Sequence, residues 1–215
     1  MTYLNLMNNV LRRLREEEVT SVTATTYSKM VSDYINDAKK MVEESNDWSA
    51  LRETLTISTT ASDNTYSLTG ASDNVKVMSV INDTQNCFME YQTKDWFNDA
   101  LYISNAVEGA PKYFTYNGVD SSGDTQVLVG PTPDGVYTLR FDVIKRQADL
   151  SSNTDTLLVP AMPVVHLTVA LLARERGETG GTSAAEYFAV ADRFLSDAIA
   201  IDAAKHPEEM VFRTV

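Results

Sequence analysis

The sequence is poor in the residues from which most catalytic and metal sites are built. Its 215 residues include one cysteine, Cys87, and two histidines, His166 and His206. A single cysteine excludes an internal disulfide and a cysteine metal cluster, and it favours synthesis in a reducing cytoplasm. There is also no HExxH, CxxC, GxSxG or Walker A motif, and no GxGxxG after a predicted strand. We therefore expect no catalytic site, no metal and no cofactor.

Long apolar runs and an excess of basic residues are missing too. No apolar run approaches the roughly 20 residues that span a bilayer, so we expect a soluble protein that does not bind a membrane. The net charge of −12 at pH 7 argues against gripping a nucleic-acid backbone, which depends on clustered Lys and Arg. The acidity has two interpretations: simple solubility, or a wall along which a polyanion slides without adhering.

Helical periodicity is concentrated at the two ends of the chain. Apolar residues recur at three- and four-residue steps in residues 2–18 and again in residues 25–45, and each pattern predicts a helix with one buried face. A third helix, residues 163–176, is so apolar that we expect it at the centre of the fold. After a glycine-rich corner, an amphipathic helix is predicted to run to residue 205.

The middle of the chain has the periodicity of strands. Between residues 51 and 159 apolar residues alternate in short runs separated by polar turns, and only residues 94–103 show helical spacing there. The sequence thus predicts an α+β fold in which an antiparallel β-region, 51–159, is inserted into a helical bundle. The bundle comprises residues 1–50 and 160–205, and residues 206–215 follow as an extended tail.

Two groups of acidic residues are candidates for contact with a partner or a channel. Three consecutive glutamates end the predicted first helix, where the helix dipole is unfavourable to anions. We expect Arg12 and Arg13 to pair with the acids four positions later, and a subunit contact is the alternative. The last helix is predicted to carry three aspartates on its solvent side. The candidates are Glu16, Glu17, Glu18, Asp192, Asp197 and Asp202.

Apolar residues stand out in two further places. Tyr113, Phe114 and Tyr116 could form a stacking or carbohydrate platform, although packing in a sheet or against another subunit explains the same pattern. The last ten residues contain a helix-breaking proline and, after it, apolar side chains, so we expect them to dock onto a partner. A disordered tail is the alternative. The predicted contact residues are Pro207, Met210, Val211, Phe212 and Val215.

Several segments resemble one known family, the head-to-tail adaptor proteins of tailed bacteriophages, in particular those of the SU10 type and of marine podophages. The similarity lies in Tyr3–Glu16, Tyr34–Lys39, Trp48–Arg52, Asn117–Asp120, Arg174–Gly181, Ala184–Glu186 and His206–Glu209. The resemblance implies a structural protein of the virion neck, made in the cytoplasm of the bacterial host, and not an enzyme.

The resemblance also implies partners. A dodecameric ring of subunits would join the portal protein to the tail tube or nozzle, and double-stranded DNA would pass through it without specific binding. The tail residues named above then become portal-binding candidates, and the acids become channel-lining candidates. The alternative is a tail-tube or tail-completion ring that does not touch the portal. A polysaccharide-degrading tail enzyme is disfavoured by the short chain and the absence of repeats.

Overall fold

The computed structural model describes residues 1–103, 108–177 and 182–205. The chain divides into two compact units, one formed by Met1–Leu51 with Gln147–Val215 and the other by Arg52–Arg146. The first unit is helical and the second contains two β-sheets, which confirms the α+β class. Residues 206–215, the predicted tail, lie outside the described residues.

The predicted periodicities correspond to the following elements. The helices are α1 (Tyr3–Arg13), α2 (Thr26–Ser45), α3 (Lys94–Asn98), α4 (Ala161–Glu175) and α5 (Thr182–Ala203), with a 3-10 turn at Ser49–Leu51 and a π-helical turn at Asp99–Ile103. The strands are β1 (Arg52–Ser58), β2 (Thr65–Ser67), β3 (Lys76–Asn82), β4 (Cys87–Phe88), β5 (Glu90–Tyr91), β6 (Tyr113–Val119), β7 (Thr125–Gly130) and β8 (Thr138–Ile144).

Helix α4 lies at the centre of the helical unit, as its apolar sequence predicts. It contacts α1, α2 and α5, and Val164, Val165 and Leu172 on it are fully buried. Burying a helix of this composition removes apolar surface from water on all sides at once, at roughly 25 cal/mol per Å². The other helices therefore pack around α4.

The first two helices differ in how well the sequence predicts their ends. The start of α2 is a capping box, in which the Thr25 side chain accepts from the Ser28 amide and Ser28 Oγ accepts from the Thr25 amide. Helix α1, by contrast, ends at Arg13 and not near residue 18. Arg15 has a positive φ of 59°, and the Glu16 amide donates back to the Leu11 carbonyl at 2.9 Å. This left-handed closure stops the helix before the three glutamates.

Residues 147–159 belong to the helical unit, although their lack of helical periodicity placed them in the predicted β-region. Side chains of α2 hold this segment. Asn36 bonds both the amide and the carbonyl of Leu150, at 2.9 and 3.1 Å, and the buried Lys39 ammonium donates to the Gln147 carbonyl at 2.6 Å. The segment is tied down by hydrogen bonds that leave no periodic trace in its own sequence.

The β-unit contains two four-stranded sheets, with strand orders β1-β8-β3-β4 and β2-β7-β6-β5. All pairs are antiparallel except β5 with β6, which is parallel and corrects the prediction of a purely antiparallel region. A parallel pair is possible here because residues 92–112, which include α3, separate β5 from β6 and are long enough for the crossover that parallel strands require. Both sheets contribute to one buried cluster: Tyr66, Leu68, Ala71, Val80, Met89, Phe114, Val127, Val129, Leu139, Phe141 and Val143.

The short helix predicted at residues 94–103 is present as α3 and its π-helical turn. Thr93 caps it by accepting from the Trp96 amide, and Phe97 is fully buried. The Phe97 ring lies against the end of β7, where a Cβ at Gly130 would come within 3.0 Å of Phe97 Cε1. A glycine at this position lets the helix approach the strand closely.

Candidate interaction surfaces

The three glutamates after α1 line a groove of about 660 Å³ whose other wall is the start of α2. The predicted ion pairs of Arg12 and Arg13 with the acids four positions later are wrong. The helix ends at Arg13, so the glutamates do not lie one helical turn beyond the arginines. Arg12 instead pairs with Glu18 at 2.8 Å, and Glu16 pairs with Arg176 at 2.7 Å. Glu17 is exposed. The groove thus presents carboxylates to solvent, with one of the three held by the distant arginine.

Arg176, the residue that caps α4, joins three parts of the helical unit. Its guanidinium donates to Glu16 and to the Tyr27 hydroxyl, and its central carbon lies 5.2 Å from the centroid of the Tyr27 ring. Burial lowers the pKa of Arg176, but the bonds to Glu16 and Tyr27 more than compensate and raise it above its usual value. Burial also raises the pKa of Tyr27, against the effect of Arg176. Sequence reasoning missed this cluster, whose members are far apart in the chain.

The three aspartates of α5 do not share a face. They follow one another at five-residue steps, and each step turns the helix by about 140° relative to the last. Asp192 and Asp197 are exposed, whereas Asp202 is only 5% exposed. The prediction that Asp202 lies on the solvent side is therefore wrong, since it occupies the face of α5 that packs.

Asp202 is held by Ser49, in the 3-10 turn that follows α2, and by Lys205, just after the end of α5. Its carboxylate accepts from the Ser49 amide at 2.9 Å and from Ser49 Oγ at 2.6 Å, and Lys205 Nζ lies 3.1 Å away. Burial raises the pKa of Asp202, but the bonds from Ser49 and Lys205 outweigh burial and leave the pKa below its usual value. The group is therefore a charged, hydrogen-bonded carboxylate inside the helical unit.

One flank of α5 exposes apolar side chains. We call Tyr187, Val190 and Ile201 the α5 strip; they are 41%, 41% and 66% exposed. Phe194 stacks on His166 of α4, with ring centroids 4.3 Å apart. Burial, followed by the charge of Arg13, lowers the pKa of His166. His166 thus packs against α5, but the apolar face of α5 is wider than its contact with α4.

A second apolar surface lies where β5 borders β6. Phe114 is buried with its ring 6.3 Å from Phe141, so the packing interpretation of the β6 aromatics applies and they do not form one platform. Around it, Tyr91 and Tyr116 remain exposed, and we call these two the aromatic edge. Trp96 packs instead on Phe97 and Tyr113. Tyr91 and Tyr116 have ring centroids 6.0 Å apart. Such rings are enriched at protein interfaces.

A smaller groove of about 420 Å³ lies against β1, β3 and β8. Two acids line it. Asp142 accepts from Thr54 Oγ1 at 3.0 Å and from Ser79 Oγ at 2.9 Å, so that its carboxylate links three strands, and Glu53 pairs with Lys145 at 3.3 Å. Elsewhere among the described residues, no group of three or more His, Cys, Asp or Glu is placed to hold a metal ion. No helix in the described ranges is long and apolar enough to cross a membrane.

The sequence matches a family model described as SU10 adaptor protein over residues 1–210. The chain belongs to the SU10 adaptor family. The match extends across both compact units, and it confirms the resemblance drawn from the sequence segments. No curated protein matches the chain.

Membership in the adaptor family indicates a structural phage protein of the virion neck that works with portal and tail components. The adaptor match includes the tail candidates Pro207 and Met210 but ends before Val211, Phe212 and Val215. All five lie outside the described residues, so their predicted role in portal binding stays a prediction.

Proposed function

We propose that this adaptor forms a ring, dodecameric as the family resemblance implies, which joins the portal to the tail tube or nozzle and extends the DNA channel. The observation that carries the proposal is the family match over residues 1–210, because it covers the helical and the β-unit together. An adaptor must hold two different partners and its own neighbours at once. Such a role needs contact surfaces and no catalytic centre.

Two exposed surfaces support a ring. A closed ring requires a head-to-tail interface, in which two different patches of each subunit meet patches of its neighbours. The α5 strip belongs to the helical unit and the aromatic edge belongs to the β-unit, so one subunit offers two chemically different apolar patches. We assign both to contacts with neighbouring subunits or with the tail-side partner.

We assign portal binding to the C-terminal tail. Its contact residues are Pro207, Met210, Val211, Phe212 and Val215, and the apolar ones would be costly to leave in water. An extended segment of this kind can add to the surface of a partner through main-chain bonds and alternate side-chain pockets.

The channel assignment changes with the geometry. Asp202 is excluded because it is bonded inside the subunit. Asp197 lies seven residues after Val190 and four before Ile201, so it shares a face with the α5 strip. Asp192 points elsewhere and becomes the main channel candidate on α5, together with the exposed Glu17. Glu16 and Glu18 are weaker candidates, because Arg176 and Arg12 pair with them. Like charge would repel DNA phosphates and keep them moving.

Native mass spectrometry of the protein, alone and mixed with the portal ring of its phage, tests the proposal. We expect a monomer alone and addition of one ring of adaptor subunits to each portal. Self-made stacks of rings without portal binding would instead establish a tail-tube or tail-completion protein. The mass of the complex also counts the subunits.

A further inference from the structure

Of the four outer strands of the two sheets, β1 differs from the other three in length. The strands β2, β4 and β5 are three, two and two residues long, and such short strands offer a neighbouring chain little to pair with. β1 has seven residues and pairs with β8 in an unbroken register. Among the described residues, no strand pairs with its other side, which we call the β1 edge.

The hydrogen-bond pattern shows which groups of β1 face outward. The Thr59 amide donates to the Tyr137 carbonyl at 2.9 Å, one position beyond the last paired residues of β1 and β8. Because bonded and non-bonded pairs alternate along an antiparallel ladder, the amides and carbonyls of Thr54, Thr56 and Ser58 point away from β8. All three residues are exposed. Their main-chain groups can therefore bond to a further strand.

The middle of the β1 edge lacks the usual protection of an outer strand. Natural edges are guarded by lysines, prolines or bulges, but Thr54–Ser58 contains no charged residue and no proline, and its register with β8 has no bulge. On the core side, Leu55 and Ile57 are half-buried and pack against the hydrophobic cluster of the two sheets. A further strand would cover these two side chains with apolar residues of its own.

The charges beside the β1 edge specify another feature of a strand that would bind there. The two acids nearby already have partners in the β-unit, since Glu53 pairs with Lys145 and Asp142 accepts from two hydroxyls. Arg52, by contrast, is exposed at the start of β1, and a guanidinium presents paired donors that suit a carboxylate. An acidic residue opposite Arg52 is therefore favoured.

We propose that the β1 edge binds an extended segment of the tail-side partner, which adds to the sheet as a further strand; the inference rests on the proposed adaptor function. In such strand addition, main-chain bonds provide affinity and alternate side chains provide specificity. The segment would place apolar residues beside Leu55 and Ile57 and an acid opposite Arg52. Its main chain would bond to Thr54 and Thr56.

A second copy of the chain fits the β1 edge less well. Pairing of β1 with the β1 of another copy is two-fold symmetric, so it joins subunits in closed pairs and does not extend into a ring. The other outer strands of the described β-unit are too short to match seven residues. Portal binding is already assigned to the C-terminal tail, and the tail-side protein is the remaining partner.

Hydrogen exchange locates the added strand without knowledge of its sequence. Exchange in β1 is followed by mass spectrometry in the adaptor alone, in its complex with the portal ring, and in that complex with the purified tail tube or nozzle protein of its phage. We expect the amides of Thr54, Thr56 and Ser58 to exchange rapidly in the first two samples. In the third they should exchange at least about tenfold more slowly, because each gains a bond.

Substitutions at Thr56 test the same contact by affinity. Thr56→Pro removes one outward donor and leaves the bonds to β8 in place, since the Thr56 amide is outside that ladder. We expect it to weaken binding of the tail-side protein to the portal–adaptor complex by about tenfold. Thr56→Val keeps the amide, is the matched control and should bind as the natural chain does. Thr56→Lys adds a natural edge guard without changing the backbone, and we expect a smaller loss.

Two results would overturn the inference while the ring on the portal still forms. Slow exchange of the β1 edge already in the portal complex would assign the edge to the portal or to a neighbouring copy. Tail-side binding that neither Thr56→Pro nor Thr56→Lys weakens would exclude strand addition. If no ring forms on the portal, the proposed function fails and the inference fails with it, a result that native mass spectrometry of the natural chain gives independently of β1.

Discussion

At the scale of single residues, the fold depends on groups whose partners are far away in the chain. Asp202 and Ser49 are separated by 153 positions and Glu16 and Arg176 by 160. Both contacts fasten a chain end or a loop to a helix. Local periodicity predicts the secondary structure of each residue and whether its side chain is buried or exposed. For these two carboxylates, a hydrogen-bond donor far away in the chain decides the environment instead.

Asp202 makes stability depend on pH. Its pKa is lowered in the folded protein, so its contribution is present above the unfolded pKa of about 3.9 and is lost as pH falls through the lower folded value. We expect Asp202→Ala to reduce the free energy of unfolding by about 1–3 kcal/mol at pH 7. The difference from the natural chain should shrink below about pH 4. Urea unfolding from pH 3 to 7 measures it, and a difference that stays constant with pH would contradict the assignment.

Arg15 has a strained backbone conformation that glycine would adopt without strain. Its φ of 59° lies in the left-handed region that side chains with a Cβ disfavour. We expect Arg15→Gly to raise the free energy of unfolding by about 0.5–1 kcal/mol, after the greater entropy of glycine in the unfolded chain is deducted. Arg15→Ala keeps the Cβ and is the matched control. Equal stability of the two variants in urea unfolding would show that the backbone angle is not the cause.

At the scale of elements, the left-handed turn at Arg15 determines the length of α1. Three arginines and three glutamates are good helix formers, and propensity alone carries the predicted helix to residue 18. The observed end at Arg13 places Glu16 within reach of Arg176 and opens the groove beside α2. The helix therefore stops where a tertiary contact is available and not where its propensity ends.

The packing of α3 on the end of β7 gives a prediction for one element pair. Gly130→Ala would bring a methyl within 3.0 Å of the Phe97 ring, and we expect a loss of about 1–3 kcal/mol from overpacking. In Phe97→Leu the ring is absent, so adding Gly130→Ala should cost less than it does alone. A double-mutant cycle by thermal or urea unfolding measures this coupling. Strictly additive losses would mean that the two residues do not meet.

At the scale of the whole molecule, the proposed function requires the net charge of −12 to suit a ring through which DNA passes. Adaptor membership places the chain in the virion neck, and the exposed acids of the helical unit are then the groups that a passing duplex could meet. Repulsion at close range favours passage, whereas cations would hold the backbone and release counterions.

Asp192 allows this idea to be tested in the portal–adaptor complex. We expect Asp192→Lys to give salt-dependent binding of a short duplex, measured by fluorescence anisotropy, where the natural complex binds none. Asp33→Lys changes the net charge equally on an exposed position of α2 and is the control. Equal duplex binding by both variants would attribute the effect to net charge and remove Asp192 from the channel.

Much of the architecture is determined by the sequence alone, because hydrophobic periodicity and capping are local. They predict the α+β class, the start of α2 near residue 25, the burial of α4 and a middle region of short strands. Only the tertiary structure decides where α1 ends, that residues 147–159 join the helical unit and that Asp202 faces inward. The last two depend on hydrogen bonds between residues more than a hundred positions apart, Asn36 with Leu150 and Ser49 with Asp202. The end of α1 is accompanied by a third such bond, from Arg176 to Glu16. The local sequence pattern around either partner does not indicate such a bond, so only the tertiary structure identifies it.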